Sequence, residues 1–247
     1  MICLKTNKMS TPEFYDNFIA YQIESGINDR IYSCYKKMKK HGIDNNSSVL
    51  EIGCGIGVLT YLLSRKIKNG TIESMDLSEK SIDYASKHIS QKNISFSASN
   101  IFDFSPKNAQ FDFVTLFDVI EHVPLERHSE LFLKISGWMH EKSILLINLP
   151  NPEYILFDQK NQPEVLQEMD QPVFLSDLSS VFQSAGLEIF SFDTYGIWTK
   201  EDYQFFVVRK KTEFKEVILS EQRTVLQKGI IKLKRMVRAL FYSYPKK

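Results

Sequence analysis

Between residues 43 and 211, short apolar runs alternate with stretches whose apolar residues recur at steps of three and four. The runs predict strands at Ser48–Ile52, Thr71–Met75, Ile94–Ala98, Phe111–Phe117, Ser143–Leu149, Leu187–Asp193 and Tyr203–Arg209. The helical spacing predicts helices at Val58–Lys66, Glu79–Ile89, Leu125–Trp138 and Leu175–Ala185, the last capped by Ser176-Asp177 and stopped at Gly186. Strand–helix alternation implies a parallel sheet covered on both faces. Only about ten loop residues join the last two strands, too few for a parallel crossover, so that pair is antiparallel. The expected architecture is α/β: a doubly wound, mostly parallel seven-stranded sheet with an antiparallel last strand.

Both flanks of this block are helical. "EFYDNFIAYQ" and "NDRIYSCYKKMKKHG" carry apolar residues at helical spacing, with Gly26 between them and Gly42 as a stop. In "RTVLQKGIIKLKRMVRALFYSYPKK", Leu226, Ile230, Leu233, Val237, Leu240 and Tyr244 form one apolar stripe. Three parts are expected: residues 1–42 as a helical lid, 43–211 as the sheet domain, and 212–247 as a basic amphipathic tail.

Charge changes the picture only in that tail. The chain of 247 residues has net charge +1, with 43% hydrophobic and 25% charged residues, ordinary for a globular protein. From Arg223 onward there are eight Lys or Arg and no acid, which leaves 23 basic against 30 acidic residues before it, a net of −7. The tail therefore either packs on its own domain, pairs two subunits, or touches an anionic membrane. No run of 18 apolar residues is present, and "MICLKTNKMSTPEF" has no apolar signal core. Cys3, Cys34 and Cys54 stand alone, without metal or redox spacing. A reducing cytoplasm is the expected compartment, with the tail at the inner membrane face as the alternative.

The chemistry concentrates in "VLEIGCGIGVLT". Gly53, Gly55 and Gly57 follow the first strand, where open parallel sheets bind ligands. Gly53 allows a tight turn, Gly55 lets a ligand approach the backbone, and Gly57 permits close helix–strand packing. The spacing G-x-G-x-G is not the dinucleotide pyrophosphate pattern, and no G-K-S/T is present. Asp76, in "SMDLS", closes the second strand where a carboxylate can accept both hydroxyls of a ribose.

These residues resemble the class I S-adenosylmethionine-dependent methyltransferases, of the small-molecule quinone and sugar type. "VLEIGCGIG" is similar to their first motif, including Cys54, with Glu51 in the acidic position. Asp76 matches the ribose-binding acid and Leu77 the neighbour that packs on adenine. "SASNIFDFS" resembles the adenine-edge motif and puts Asn100, where an acid is more usual, and Ile101 there. "FDFVTLFDVIEHV" and "LLINLPNPEY" resemble the fourth-strand motif and the fifth-strand exit. The resemblance covers roughly Thr11 to Lys211 and implies a Rossmann-like methyltransferase with S-adenosyl-L-methionine as cofactor. Asp118 would then face the methionine side of the cofactor, or cap the helix that follows it. Glu51 would order backbone amides or meet the cofactor's ammonium.

Methyl transfer to a hydroxyl needs a base, and His122 in "DVIEHV" is the candidate, since its ordinary pKa suits neutral pH. A positioning role is the alternative. A metal held by Asp118, Glu121 or His122 is a further variant, but the three lie too close in sequence to cage a hard cation, so no metal is expected. His41, His88, His128 and His140 read as surface residues. Substrate contacts are expected from Tyr15, Tyr21, Gln22, Asn28 and Arg30 of the lid, from Asn148, Asn151 and Tyr154 at the fifth-strand exit, and from Tyr195, Trp198 and Tyr203 near the end of the sheet.

Three functions compete. The first is a methyltransferase acting on a hydroxyl, or a phosphate or amine, of a small molecule. Its polar Asn/Tyr/Gln lid favours cell-envelope glycan or nucleotide-sugar synthesis, that is polysaccharide biosynthesis, and the alternative is a quinone or lipid acceptor. The second is methylation of nucleic acid. The net −7 and the lack of an N/D-P-P-Y/F signature stand against it, so no nucleic-acid partner is expected. The third is a non-catalytic scaffold that binds the cofactor.

Overall fold

The computed structural model describes residues 19–167, 169–216 and 218–242. Two compact units, Met1–Lys211 and Thr212–Lys247, divide the chain. The first holds a seven-stranded sheet of β1 (Val49–Ile52), β2 (Ile72–Asp76), β3 (Ile94–Ala98), β4 (Phe111–Phe117), β5 (Met139–Pro150), β6 (Leu187–Tyr195) and β7 (Tyr203–Lys210) in the order β3-β2-β1-β4-β5-β7-β6. β3 to β5 pair in parallel across β2, β1 and β4, and β7 runs antiparallel to both β5 and β6.

Successive side chains of a strand point to opposite faces, so the buried runs build two cores. On one face Leu50, Ile52, Val114, Leu116 and Phe206 pack with Phe132 of α5 (His128–Gly137) and Phe182 of α7 (Leu175–Ser184). The rings of Phe132 and Phe182 meet edge to face at 4.7 Å. On the other face Val49, Ile72, Leu146 and Val207 pack with Cys34 and Met38 of α2 (Asp29–Lys40) and Leu59 and Leu63 of α3 (Val58–Lys66). Ahead of α2 lies α1, whose described part is residues 19–25. α4 (Glu79–His88), capped by Ser78, crosses from β2 to β3.

Three local expectations need correction. The span 125–138 is a 3-10 turn, Leu125–Arg127, followed by α5; the Arg127 N–H donates to the Pro124 carbonyl (2.8 Å) and closes that turn. α7 starts after Phe174 with no side-chain cap, so Ser176 and Asp177 lie inside its first turn. A helix not foreseen, α6 (Pro152–Asn161), follows β5; Asn151 accepts a hydrogen bond from the N–H of Glu153 (3.1 Å) and Pro152 opens the first turn. The second unit holds α8 (Leu219–Gln222) and α9 (Val225–Phe241).

Candidate active site

Parallel register brings the carboxyl ends of β1, β2 and β4 together, since Ile52 lies beside Met75 on one side and Leu116 on the other. Gly53, Asp76 and Asp118 therefore emerge at one edge. A cavity of about 940 Å³ opens there.

Its floor is the glycine loop. Gly53 has φ +77° and lies so close to β4's exit that a Cβ would sit 2.3 Å from Val119. Gly55 has φ +52°, and a Cβ would meet the Gln22 carboxamide at 2.8 Å, so the lid already lies against it. Gly57 packs on Ala85 and Ile89 around the end of α4 and on Phe96 of β3, and is not in the cavity wall.

The loop's amide groups decide what it can hold. The N–H groups of Gly53 and Cys54 both donate to the carbonyl of Met75 (2.8 and 3.0 Å), and that of Gly57 donates to Cys54 (2.9 Å). The N–H of Gly55 donates to Asp76 Oδ2 (2.7 Å). A phosphate cradle needs such donors free and aimed at the ligand. Here four of them are committed to the fold, so the loop offers backbone proximity without an anion nest. That suits an adenosyl group lacking phosphate.

Asp76 accepts one N–H on each oxygen, the second from Ser78 (2.9 Å), which leaves lone pairs for hydroxyl donors. Burial raises its pKa, and the N–H groups of Ser78, Gly55 and Leu77 oppose that. Leu77, Asn100 and Ile101 line the same cavity. The Asn100 carbonyl accepts the N–H of Phe102 (3.0 Å), which leaves its amide N–H groups as donors. S-Adenosylmethionine fits this set: hydroxyl acceptors at Asp76, a flat apolar slot at Leu77 and Ile101, and no unmatched anion site.

Glu51 lies beneath the loop, in the cavity wall. Its carboxyl is buried and accepts from the hydroxyls of Thr60 (2.5 Å) and Ser74 (2.9 Å) beneath the loop. Burial, against these two hydrogen bonds, pushes its pKa up to about 7. A folded pKa above the ordinary value means stability falls as pH rises from about 4.5 toward 7. Glu51→Gln should flatten that slope in urea titrations across this window. An unchanged slope would show that another group carries it.

Asp118 adopts φ +56°, unusual outside glycine, at the end of β4. It caps no helix. Arg30, from α2, pairs with Oδ2, and Asn148 donates to Oδ1 at 3.4 Å. The lid is thereby tied to the strand ends.

His122 sits in a 3-10 turn, Ile120–His122. Its Nδ1 lies 2.6 Å from the carbonyl of Met169 and 3.1 Å from Asp170 Oδ1, while Nε2 lies 4.0 Å from Glu121 Oε1. Burial disfavours the charged ring, but the Asp170 hydrogen bond, Glu121, the Asp170 charge and the Met169 carbonyl outweigh it and raise the pKa to about 9. Burial raises Glu121 to about 7, against the pull of His122. These partners favour the imidazolium over the neutral ring that an ordinary histidine would hold at neutral pH. His128 is a second correction: it is only 1% exposed, and its Nε2 lies 3.0 Å from the carbonyls of both Ile120 and Val123. Carbonyls only accept, so Nε2 carries the proton and braces the turn that holds His122. His88 is exposed, and His41 and His140 are partly so.

Of the substrate candidates, Tyr21, Gln22, Asn28 and Arg30 reach the cavity, as do Trp198 and Tyr203. Tyr15 lies outside the described residues. Asn148, Asn151, Tyr154 and Tyr195 are not in the wall. Asn148 is fully buried and takes the Tyr195 hydroxyl; Asn151 caps α6 and donates to the carbonyl of Glu201 (2.9 Å). Asn148 and Tyr195 meet each other inside the sheet, and Asn151 is taken up by the cap of α6, where the chain turns after β5. Missed were Arg127, whose guanidinium stacks 3.3 Å from the centroid of Phe102, and the apolar wall of Val119, Val123, Pro124, Val165 and Leu166. Asp170 was also missed. No local signal marks these, since the fold joins them from distant segments. Among the described residues no group of three His, Cys, Asp or Glu side chains could hold a metal ion.

A family described as a methyltransferase domain matches residues 49–142. The mitochondrial ubiquinone biosynthesis O-methyltransferase of Candida albicans is 31% identical over 153 residues, covering 57% of this chain and 46% of the relative. That of Thiobacillus denitrificans is 29% identical over 154 residues, covering 57% and 64%. The chain thus spans less than two thirds of the length of either curated relative. In fold it is similar to magnesium protoporphyrin IX methyltransferase from Synechocystis, solved with bound SAH, at a TM-score of 0.59 and 15% identity, covering 83% of this chain and 89% of that one.

Proposed function

We propose that this chain, whose residues 49–142 match a family described as a methyltransferase domain, is a class I, S-adenosylmethionine-dependent enzyme that methylates a hydroxyl on an apolar, ring-bearing small molecule of the lipid-quinone kind. The carrying observation is that one cavity joins the glycine loop and Asp76 to His122 and to the apolar wall of Val119, Val123, Pro124, Val165 and Leu166. Of the polar residues behind the glycan reading, Tyr21, Gln22 and Asn28 line that cavity as well, but Asn148, Asn151 and Tyr154 do not. The named relatives, both ubiquinone biosynthesis O-methyltransferases, point the same way.

When bound, S-adenosylmethionine supplies an electrophilic methyl on a sulfonium. Asp76 would accept the ribose hydroxyls, Leu77 and Ile101 would pack on the adenine, and Asn100 would meet its edge. Gln22 lies against the loop at Gly55, and Arg30 ties the lid to Asp118 at the end of β4. His122, in its neutral form, takes the proton of the acceptor hydroxyl, with Asp170 and the Met169 carbonyl fixing Nδ1. Alignment of acceptor and methyl in one cavity supplies much of the rate, up to about 7–11 kcal/mol in well-oriented systems.

The test compares methyl transfer to a prenylated catechol with transfer to nucleotide sugars, read by mass spectrometry. Transfer to the catechol is expected. Trp198→Ala should raise its KM about three- to tenfold, the worth of an aromatic contact, without changing cofactor affinity. Preference for the sugar would overturn the acceptor class. No transfer to any acceptor, with cofactor binding intact, would favour a non-catalytic scaffold.

A further inference from the structure

The second unit carries a helix whose two faces are chemically distinct. Thr224 and Gln227 close a reciprocal capping box at the start of α9. At about 100° per residue, Val225, Leu226, Ile230, Leu233, Met236, Val237, Leu240 and Phe241 fall in one sector, just under half of the circumference. Lys228, Lys232, Lys234, Arg235 and Arg238 fall in the other sector, with Gln227, Ile231 and Ala239, and without a single acid. All eight apolar side chains are exposed, Leu226 by 74% and Leu240 by 82%. Among the described residues no helix is long and apolar enough to cross a membrane.

We propose that α9 is a docking surface for anionic lipid bilayers, on which it lies in the plane of the headgroups. The charge pattern selects this occupant. A helix that buries its stripe against protein has no need of one sign only on its other face. A plane of phosphate groups does, and Lys232 and Lys234 stand at the two edges of the apolar sector, where their stems can run along the lipid while the ammonium groups reach the phosphates. Each such cation near an anionic leaflet is worth roughly fivefold in partitioning. The proposal goes beyond the acceptor reading and does not rest on it.

The experiment is co-sedimentation of the full chain, without cofactor or acceptor, with phosphatidylcholine vesicles containing about a third phosphatidylglycerol. Binding is expected at low salt, none with phosphatidylcholine alone, and loss at about 1 M salt, where screening is strong. Lys232→Gln with Lys234→Gln should weaken binding roughly 25-fold. Leu233→Glu with Leu240→Glu should abolish it while cofactor affinity is retained, which shows that the first unit is intact. Absence of binding at low salt overturns the proposal, as does equal binding to neutral vesicles. A dimer that the Leu233→Glu, Leu240→Glu variant dissociates, in a chain that ignores vesicles, would instead make the stripe a subunit interface.

Discussion

His122→Ala is expected to slow turnover by about 10²–10⁴-fold, the usual worth of a positioned base, with cofactor affinity unchanged. The pH profile carries the sharper test. With the ring's pKa raised to about 9, the neutral ring is the minority form at pH 7. The wild-type rate should therefore climb with pH until about 9, and the variant should lose that limb. Asp170→Asn removes the carboxylate that raises the ring's pKa, so its limb should move toward the ordinary histidine range. Stability shifts the other way. A histidine with a raised folded pKa stabilises the fold fully below about 6.5, and this contribution disappears as pH climbs through about 9. Denaturation midpoints should fall across that window in the wild type and stay flatter in His122→Ala. A variant slowed less than tenfold, with the limb intact, would leave His122 only a positioning role.

Gly55→Val should remove measurable binding of S-adenosylmethionine, a loss of at least about 100-fold, since a β-branched residue at φ +52° is strained and its Cβ would strike Gln22. Calorimetry reads the affinity and thermal unfolding reports whether the fold survives. Asp76→Asn supplies a second readout. One oxygen can still take a backbone N–H, but the carboxylate's charge-assisted bonds to hydroxyls are gone, for an expected loss of about 1.5–3 kcal/mol in cofactor binding. Affinities within threefold of wild type in both variants would rule out the loop as the cofactor site.

Where the pattern was contiguous, the chain was legible. The bounds of β3, β4 and α3 follow from apolar runs and helical spacing alone. The start of β5 at Met139 does not, because "MHEK" is polar and is held in the strand by Phe111 across a bulge. α6 was overlooked although Asn151-Pro152 is a capping pair, since the same letters resembled a strand-exit motif. The glycine loop and Asp76 could be found because one βαβ unit supplies both. The pairing of His122 with Asp170 could not, because the carbonyls of Glu121 and Val123 draw in Gln171 from some fifty residues away. Charge state was hidden for the same reason. Nothing near His122 in sequence, apart from Glu121, shows what will raise its pKa.

The placement of β7 bears on how the chain is made. This strand is the last of the sheet to leave the ribosome, yet it fills the slot between β5 and β6. Until residue 210 is available, β5, with seven of its residues waiting for partners on β7, presents an open hydrogen-bonding edge along its mostly apolar stretch Ile144–Pro150. Such edges recruit other chains. The nascent protein is thus most vulnerable late in synthesis, and insertion of the closing hairpin doubles as a quality gate: chains stalled before it would be sticky, and finished ones would not.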